Sequence, residues 1–475
     1  MPQPRTKIVM TIGPASAKPD ILPKLLDAGV SVIRLNFSHG TPEQRKAYID
    51  LIRACTANRH IAIMGDLGGP KIRIGHIENG ALLVRAGDTI TIQREECLGR
   101  DNIISTNYPC LVDDLQVGQR ILIDDGAIRM IVLEKLADAV LCQVLQGDVL
   151  QSNKGLNLPS TQVSIPSITE KDWADIDFAI AEKLDYLALS FVRTATEIQQ
   201  VRRYLDEHKI RIDLIAKIEK PEAVANLHSI VEAADAVLVA RGDLGVEMDL
   251  TAVPVMQKEI VNAAHEAGKP VIVATQMLQS MIEAAIPTRA EVSDVANAIL
   301  DGADACMLSG ETAVGKYPVG AALVLHEIAE HTEEYIVKKR LSLTPPKLIQ
   351  MTHHRTAAIA HGTRCVVEDI DAKLVVVWSQ AGGSARYLSK NRLGVPIVAL
   401  SDDPAAARRM ALLYGVTPLH AAIPAHFDDL PLLVDRIANT YGFAQPGDRV
   451  VIVAGAPIGL VGVTNSLSVH TISAR

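Results

Sequence analysis

The chain is poor in cysteine and in aromatic residues, and it has no long hydrophobic run. Its six cysteines among 475 residues form no C-x-x-C pair and have no histidine at a spacing that suits zinc, so we expect reduced thiols and no zinc site. No apolar run approaches the roughly 20 residues that span a bilayer, and the start, MPQPRTKIVMTIG, lacks the regions of a secretory signal. The sequence therefore predicts a cytoplasmic protein with no membrane partner.

An excess of positive charge is also absent. The formal net charge is -8 at pH 7, so a general attraction to nucleic acid is not expected, and any anionic ligand must be bound by a local group of cations. The composition, 48% hydrophobic and 21% charged, is typical of a soluble α/β protein. The length suggests about three domains.

Eight short apolar runs end in polar residues, and most are separated by helical patterns. The runs are Lys7–Gly13, Val32–Ser38, Ala62–Leu67, Tyr186–Phe191, Leu214–Glu219, Val237–Asp243, Val271–Gln276 and Ala305–Gly310. Such runs suit strands buried on both faces, and eight strand–helix alternations predict a (β/α)8 TIM barrel, with an open doubly wound sheet as the alternative. Active sites of these barrels lie at the carboxyl ends of the strands, so the polar residues there are the candidates.

Two interruptions divide the chain into domains. The third and fourth runs lie about 120 residues apart, too far for one helical crossover, and short strand-like pieces fill the gap. We predict an inserted small β-barrel lid over residues 70–166, within a barrel of residues 1–69 and 167–342. Beyond the paired prolines Pro345 and Pro346, a further alternation predicts a C-terminal α/β domain over residues 343–475.

The ends of the fifth and sixth runs carry acids and a lysine. Lys217 and Glu219 alternate, so both side chains project to one side, and Asp243 ends the neighbouring run. Two carboxylates, completed by water and substrate oxygens, suit Mg²⁺, and a lysine beside them would stabilise charge in phosphoryl transfer. The alternative is an ion pair, Lys217 with Glu219 or Arg241 with Asp243, that closes the barrel mouth.

Other run ends add to this site. Arg34, Asn36 and Ser38 alternate toward one face, and Gly242 allows close backbone approach, where N–H groups could bind a carboxylate. Thr275 ends the seventh run with a hydroxyl. Together, these residues predict one site for an anion and a metal.

The stretch GDLGGPKIRI places an acid before a chain break and two cations after it. Asp66 ends the third run, two glycines and a proline follow, and Lys71 and Arg73 flank Ile72. In an extended segment these two cations face the same side. We interpret the stretch as the junction between the barrel and the lid.

These segments resemble those of the pyruvate kinase family. The matching segments are TKIVMTIGPAS, IRLNFSHG, GDLGGPKIR, AKIEKPEAV, ARGDLGVE, ATQMLQSM, PTRAEVSDVANAILDGADACMLSGETAVGKYP and, more weakly, SNKGLNLP. The resemblance implies transfer of the phosphoryl group of phosphoenolpyruvate to ADP, giving pyruvate and ATP at the final step of glycolysis. It also implies a homotetramer and a requirement for Mg²⁺ or Mn²⁺.

The resemblance assigns roles to individual residues. It implies that Lys217 stabilises the phosphoryl group, that Glu219 and Asp243 bind Mg²⁺, and that Arg34 and Arg73 bind phosphate oxygens. The implied substrate-carboxylate contacts are Gly242, Asp243 and Thr275, and the implied nucleotide contacts are Arg73, Lys154, His39 and Pro14. Thr275 also belongs to the region that protonates the enolate through water.

A monovalent-cation site is implied as well. Its ligands would be Asn36, Ser38, Asp66 and the carbonyl of Leu67, with Ser190 nearby. Potassium-activated members carry Thr and Glu where this chain has Leu67 and Lys71, so the chain resembles the potassium-independent branch, and the ammonium of Lys71 would replace K⁺. The alternative is a solvated lysine at a domain hinge.

The C-terminal stretch SQAGGSARY is a candidate effector site. Ser379, Gly382, Gly383 and Ser384 follow a strand-like run and open a helical pattern, where a phosphate could bind. Family members often bind a phosphorylated sugar or nucleotide there. An ordinary strand–helix turn is an equal alternative.

Two other functions remain open. A lyase or aldolase on a related barrel would use Mg²⁺ to stabilise an enolate without a nucleotide, but the lid and Lys154 argue against it. A metabolite-binding regulator could keep the fold without turnover. The presence of Lys217, Glu219 and Asp243 argues against that regulator.

Overall fold

The computed structural model describes residues 4–56, 59–159, 161–339, 341, 345–346 and 354–474. Its strands are β1 (Lys7–Thr11), β2 (Val30–Asn36), β3 (Ala62–Asp66), β4 (Ala81–Leu83), β5 (Thr89–Gln93), β6 (Ile103–Ser105), β7 (Arg120–Ile123), β8 (Ile128–Lys135), β9 (Ala139–Gln146), β10 (Val149–Gln151), β11 (Leu156–Asn157), β12 (Tyr186–Leu189), β13 (Asp213–Ile218), β14 (Ala236–Ala240), β15 (Val271–Ala274), β16 (Ala305–Leu308), β17 (Leu374–Trp378), β18 (Ile397–Ser401), β19 (Val416–His420), β20 (Arg449–Ala454) and β21 (Ser466–Thr471).

The α-helices alternate with the strands of the barrel and of the C-terminal domain. They are α1 (Leu22–Asp27), α2 (Pro42–Cys55), α3 (Leu111–Asp114), α4 (Glu170–Ala181), α5 (Ala195–Glu207), α6 (Pro221–Ala225), α7 (Leu227–Ala233), α8 (Arg241–Glu247), α9 (Val253–Glu266), α10 (Arg289–Asp301), α11 (Gly310–Ala313), α12 (Pro318–Lys339), α13 (Arg355–Asp369), α14 (Gly383–Lys390), α15 (Pro404–Met410) and α16 (Leu430–Tyr441). Within the described segments, no helix is long and apolar enough to cross a membrane.

Eight parallel strands close into a barrel in the order β1-β2-β3-β12-β13-β14-β15-β16. Each contains most of one predicted run, so the barrel is confirmed and the open sheet is wrong. However, several predicted runs extend beyond the carboxyl ends of the observed strands. The sixth run was expected to continue to Asp243, but β14 ends at Ala240 and the next residues form α8. Asp243 therefore lies in the first turn of a helix, and Leu244 of the same helix packs into the apolar cluster formed by the barrel strands and the surrounding helices.

The inserted domain is built from strands, as predicted. β11, β7, β8, β9, β5 and β6 form a six-stranded sheet, and β10 pairs with β4 in a second sheet. Isolated bridges, such as Arg73 with Gly155 and Ile74 with Thr106, add to these sheets. The strands surround one apolar core, but their pairing is that of two sheets rather than of one continuous closed barrel.

The C-terminal domain has a sheet in the order β19-β18-β17-β20-β21. The first four strands are parallel and alternate with helices as predicted, whereas β21 pairs antiparallel with β20 and was not predicted. Most of β21 is partly or fully exposed, so it lacks the continuous apolar run that marks a buried strand. The predicted domain boundaries stay predictions, and the one between residues 342 and 343 lies outside the described residues.

The C-terminal domain covers the amino-terminal end of the barrel. Ala411 and Leu412 pack into the cluster that fills the barrel interior. The ammonium of Lys390 lies 2.5 Å from a carboxylate oxygen of Asp304, which precedes β16, and both side chains are buried. Burial lowers the pKa of Lys390 to about 8, although Asp304 acts to raise it. The inserted domain leaves the barrel after β3, so it lies at the opposite, carboxyl end of the barrel.

Candidate active site

Lys217 lies at the centre of a charged network at the carboxyl end of the barrel. Its Nζ is 2.7 Å from Glu219 Oε1 and 3.3 Å from Asp66 Oδ1, and it donates a 2.7 Å hydrogen bond to Ser190 Oγ. Burial acts to lower the pKa of Lys217, but the Asp66 and Glu219 carboxylates outweigh it and raise that pKa above its usual range. The ammonium therefore stays charged at neutral pH.

Arg34 supplies a second cation beside Asp66. Its Nε donates to Asp66 Oδ2 at 2.5 Å, and its Nη1 donates to Thr11 Oγ1 at 2.9 Å. Burial acts to raise the pKa of Asp66, but Arg34 and Lys217 together hold it below its usual value. Asp66 is therefore ionised and fixes both cations. Thr11 was not among the predicted site residues, although it ends β1 at the same end of the barrel.

Glu219 and Asp243 form a pair of neighbouring carboxylates. Glu219 is 1% exposed and accepts a 2.7 Å hydrogen bond from the amide of Phe191. Burial raises the pKa of Glu219, Lys217 acts to lower it, and the charge of Asp243 raises it further. A bound cation would relieve this repulsion.

The donor set suits a hard divalent cation. Among the residues described, no group of three or more His, Cys, Asp or Glu side chains could hold a metal ion, so the protein offers two carboxylates and no complete cage. Mg²⁺ is usually bound in this way, with water and substrate oxygens completing six positions. Glu219 and Asp243 therefore fit Mg²⁺, whereas a structural zinc site would need more protein ligands.

Gly242, in the first turn of α8, lies beside Thr275, which follows β15. The amide of Gly242 donates to Thr275 Oγ1 at 3.1 Å. Arg241 fixes this pair, because its guanidinium donates to the Thr275 carbonyl at 2.8 Å and to Asp294 at 2.8 Å. The sequence suggested Arg241 only as an alternative ion-pair partner of Asp243, whereas in the structure it pairs with Asp294 on α10.

A cleft of about 290 Å³ separates the inserted domain from the barrel. Lys71, Arg73 and Lys154 line it from the hinge and the insert, and Asp243 lines it from the barrel. The Arg73 guanidinium donates to the Asn153 carbonyl at 2.8 Å, and Lys154 Nζ lies 3.0 Å from Asp124. Of the predicted phosphate and nucleotide contacts, Arg73 and Lys154 thus line one opening, whereas Arg34 does not line it.

The insert contacts the barrel directly at this cleft. Asn157 Nδ2 donates to Glu247 Oε1 at 2.9 Å, and Glu247 Oε1 is also 3.2 Å from Lys220 Nζ. Neither Asn157 nor Glu247 was singled out in the sequence, since an isolated polar residue gives no signal of such a contact. This bond joins the lid to α8, the helix that carries Asp243.

The predicted monovalent-cation residues are only partly brought together. The Leu67 carbonyl accepts a 2.8 Å hydrogen bond from Ser190 Oγ, and Asn36 Oδ1 accepts one from the Ser38 amide at 3.0 Å. Asp66 already contacts Arg34 and Lys217. In the described part of the chain, the Lys71 ammonium forms no hydrogen bond or ion pair with these groups.

Lys71 is exposed where it lines the cleft. Desolvation by the surrounding protein lowers the pKa of Lys71, the charge of Lys217 lowers it further, and Asp243 and Glu219 oppose both effects. The positive charge of Lys71 therefore acts on the candidate metal carboxylates and on Lys217.

Pro14 and His39 line a second cavity of about 250 Å³ at the same end of the barrel. Gln44 and Tyr48 of α2 line it as well. Burial lowers the pKa of His39, and the charges of Lys71, Arg34 and Arg73 lower it further. This cavity is therefore close to the cations Lys71, Arg34 and Arg73, as a nucleotide site would be.

The predicted effector loop lines a third cavity, of about 350 Å³, between the barrel and the C-terminal domain. The loop residues are Ser379, Gly382, Gly383 and Ser384, and the cations Lys269, Arg386 and Arg409 also line the cavity. Ser384 Oγ lies 2.5 Å from Thr464 Oγ1, and Ser379 Oγ accepts from the Ala385 amide. The cavity is thus polar and partly cationic.

Comparisons with known proteins agree with this geometry. The family described as pyruvate kinase, barrel domain, matches residues 3–322, and the family described as pyruvate kinase, alpha/beta domain, matches residues 357–470. A pyruvate kinase of Geobacillus stearothermophilus is 44% identical over 475 residues, which cover 99% of this chain and 80% of that relative. A pyruvate kinase of Mycobacterium intracellulare is 42% identical over 470 residues, 98% of each chain.

A solved structure gives the same result. A crystal structure of a pyruvate kinase from Cryptosporidium parvum aligns with a TM-score of 0.92 and 36% identity, covering 99% of this chain and 96% of that one. The sequence relatives, the two matching families and the similar structure all span the barrel and the C-terminal domain. The chain belongs to the pyruvate kinase family.

Proposed function

We propose that the enzyme transfers the phosphoryl group of phosphoenolpyruvate to ADP with Mg²⁺ bound by Glu219 and Asp243, and that it needs no K⁺. The observation that carries this proposal is the position of Lys217. Its charged, buried ammonium lies 2.7 Å from Glu219, and Asp243, whose charge acts on both residues, lines a cleft together with further cations. Phosphoryl transfer depends mainly on such positioned charges.

In the proposed reaction, the bond between phosphorus and the enol oxygen breaks, and a bond from phosphorus to a β-phosphate oxygen of ADP forms. Lys217 donates hydrogen bonds to the phosphoryl oxygens in flight, and Arg34 and Arg73 bind phosphate oxygens on either side. Mg²⁺ would supply charge neutralisation at the phosphoryl and substrate oxygens. Asp66 keeps Arg34 and Lys217 in place and, because it is fully buried, does not compete for the substrate.

The remaining enolate must gain a proton at its methylene carbon to become pyruvate. The Thr275 hydroxyl, held beside the Gly242 amide, is placed to order a water that delivers this proton. Arg241 is a positioning residue, because its bond to the Thr275 carbonyl fixes the turn after β15. The substrate carboxylate would accept from the amides at the start of α8.

A coupled assay tests this proposal against its rivals. Consumption of phosphoenolpyruvate should require ADP and produce pyruvate and ATP in equal amounts. A lyase or aldolase would act on its substrate without ADP. A metabolite-binding regulator would bind phosphoenolpyruvate without turnover.

Replacing Glu219 by glutamine should weaken Mn²⁺ binding by at least about tenfold, because one of two charged ligands is lost. Titration followed by the electron paramagnetic resonance of free Mn²⁺ measures this without turnover. Glu333→Gln is the matched control, since Glu333 is buried at the other end of the barrel and accepts the Arg5 and Thr6 amides. Unchanged Mn²⁺ binding in Glu219→Gln would refute the metal assignment.

We further propose that a phosphorylated metabolite binds at the loop Ser379–Ser384 and changes the rate. The cations that line its cavity, among them Arg386 and Lys269, support an anionic ligand. Initial rates with a panel of sugar phosphates and AMP measure the response. A homotetramer, implied by the family, is part of the same proposal, and sedimentation tests it.

A further inference from the structure

Arg45 is buried beside the proposed nucleotide cavity, and no step of the reaction uses it. It lies on α2, it is 5% exposed, and it lines the cavity that contains Pro14 and His39. A guanidinium is rarely buried without several partners, since its desolvation is costly. Its partners therefore indicate what it does.

The Arg45 guanidinium binds the backbone of one turn. Its Nη2 donates to the Phe37 carbonyl at 2.7 Å and lies 3.4 and 3.3 Å from the carbonyls of His39 and Gly40. The guanidinium carbon also lies 4.7 Å from the centre of the Phe37 ring. One side chain thus holds three carbonyls of the turn between β2 and α2.

The other side of the guanidinium is anchored to the barrel. Arg45 Nη1 lies 2.6 Å from Asp175 Oδ1 on α4, and both side chains are buried. Lys171 Nζ lies 2.6 Å from Asp175 Oδ2 and donates to the Phe37 carbonyl at 2.7 Å. Asp175 therefore fixes two cations that both hold Phe37.

The other bonds of the turn are made by its amides and by Lys171, on Phe37. The His39 amide donates to the Asn36 carbonyl at 3.3 Å, the Ser38 amide to Asn36 Oδ1 at 3.0 Å, and the Phe37 amide to the Asp66 carbonyl at 3.0 Å, whereas Arg45 binds the carbonyls of His39 and Gly40. The His39 side chain lines the cavity but forms no ion pair in the described part of the chain. Its position depends on the backbone that Arg45 holds.

We propose that Arg45 is a positioning residue for the nucleotide: by tying the turn Phe37–Gly40 to Asp175, it sets the position of His39 and the shape of the cavity that receives the base of ADP. This proposal rests on the proposed function. It requires an arginine, because a lysine has one donor centre and cannot serve three carbonyls and a carboxylate at once.

The test compares Arg45→Met and Arg45→Lys with Arg53→Met. Arg53 lies on the same helix and also donates to two carbonyls, those of Glu182 and Lys183, at 3.0 and 3.1 Å, but it does not line the cavity. In Arg45→Met, KM for ADP should rise about tenfold, while KM for phosphoenolpyruvate at saturating ADP changes less than about twofold. Arg53→Met should change neither.

Arg45→Lys keeps the charge beside Asp175, so it tests the positioning role of Arg45 even if Arg45→Met does not fold. It should still raise KM for ADP about fivefold, and Asp175→Asn should act in the same direction. Two results would overturn the proposal: both KM values unchanged in folded Arg45→Lys, or both KM values raised equally. A parent enzyme without ADP-dependent turnover would instead refute the proposed function.

Discussion

Replacing Lys217 by methionine is expected to lower kcat by about a thousandfold, while KM for phosphoenolpyruvate changes only a few-fold. The thousandfold loss corresponds to about 4 kcal/mol of transition-state stabilisation, the size expected when a positioned donor is removed from a buried site. The ammonium contacts Glu219, Asp66 and Ser190, so its position is fixed before substrate binds. Steady-state kinetics on protein shown to be folded by circular dichroism measures the effect.

Lys390→Met is the matched control for this variant. Lys390 is also a buried lysine paired with a buried aspartate, but it lies at the opposite end of the barrel. Its loss should lower the midpoint of thermal unfolding, because Asp304 loses one of its partners, and leave kcat within about twofold. If Lys217→Met retains kcat within about tenfold of the parent, Lys217 does not stabilise the phosphoryl group.

The second large effect concerns potassium. The parent enzyme should be fully active in K⁺-free buffer, with less than about twofold stimulation by added KCl. Lys71→Glu should lose about a hundredfold in rate without K⁺, because it replaces a positive charge beside Asp243 and Glu219 with a negative one. Added K⁺ should raise the rate of Lys71→Glu by at least about tenfold.

The contacts of Asp66 and Leu67, two of the predicted K⁺ ligands, support the expectation that the parent enzyme needs no K⁺. The Asp66 carboxylate already contacts two cations, Arg34 and Lys217, and the Leu67 carbonyl already accepts from Ser190. Rates in choline chloride at equal ionic strength separate a specific K⁺ effect from screening. Strict dependence of the parent on K⁺, or an unchanged K⁺-free rate in Lys71→Glu, would show that Lys71 is only a solvated hinge residue.

The barrel could be predicted because its strands are buried on both faces. Continuous apolar runs such as Ala62–Leu67 give a strong signal, and the polar residue after each run marks the end of the barrel where it lies. Lys217 and Glu219 could be predicted as site residues for this reason, since they end the fifth run. The same rule could not find β21, whose residues are partly exposed, nor the helix that begins at Arg241.

The supporting contacts of the site could not be predicted. Thr11 lies 23 residues from Arg34, Arg241 lies 34 from Thr275 and Arg45 lies 130 from Asp175, and each of these contacts depends on how two elements pack. A lone arginine near a helix start has the same sequence pattern whether it is solvated or buried. Only the packed structure shows that Arg45 binds three carbonyls.

Direct phosphoryl transfer is the central claim, and phosphorus nuclear magnetic resonance tests it. Phosphoenolpyruvate, ADP and Mg²⁺ are incubated with the parent enzyme in K⁺-free buffer, and the spectra are compared with those from Lys217→Met. The phosphoenolpyruvate signal of the parent should convert one for one into the γ-phosphate signal of ATP, with almost no conversion by Lys217→Met in the same time. Release of inorganic phosphate in place of ATP, or equal conversion by Lys217→Met, would contradict the claim.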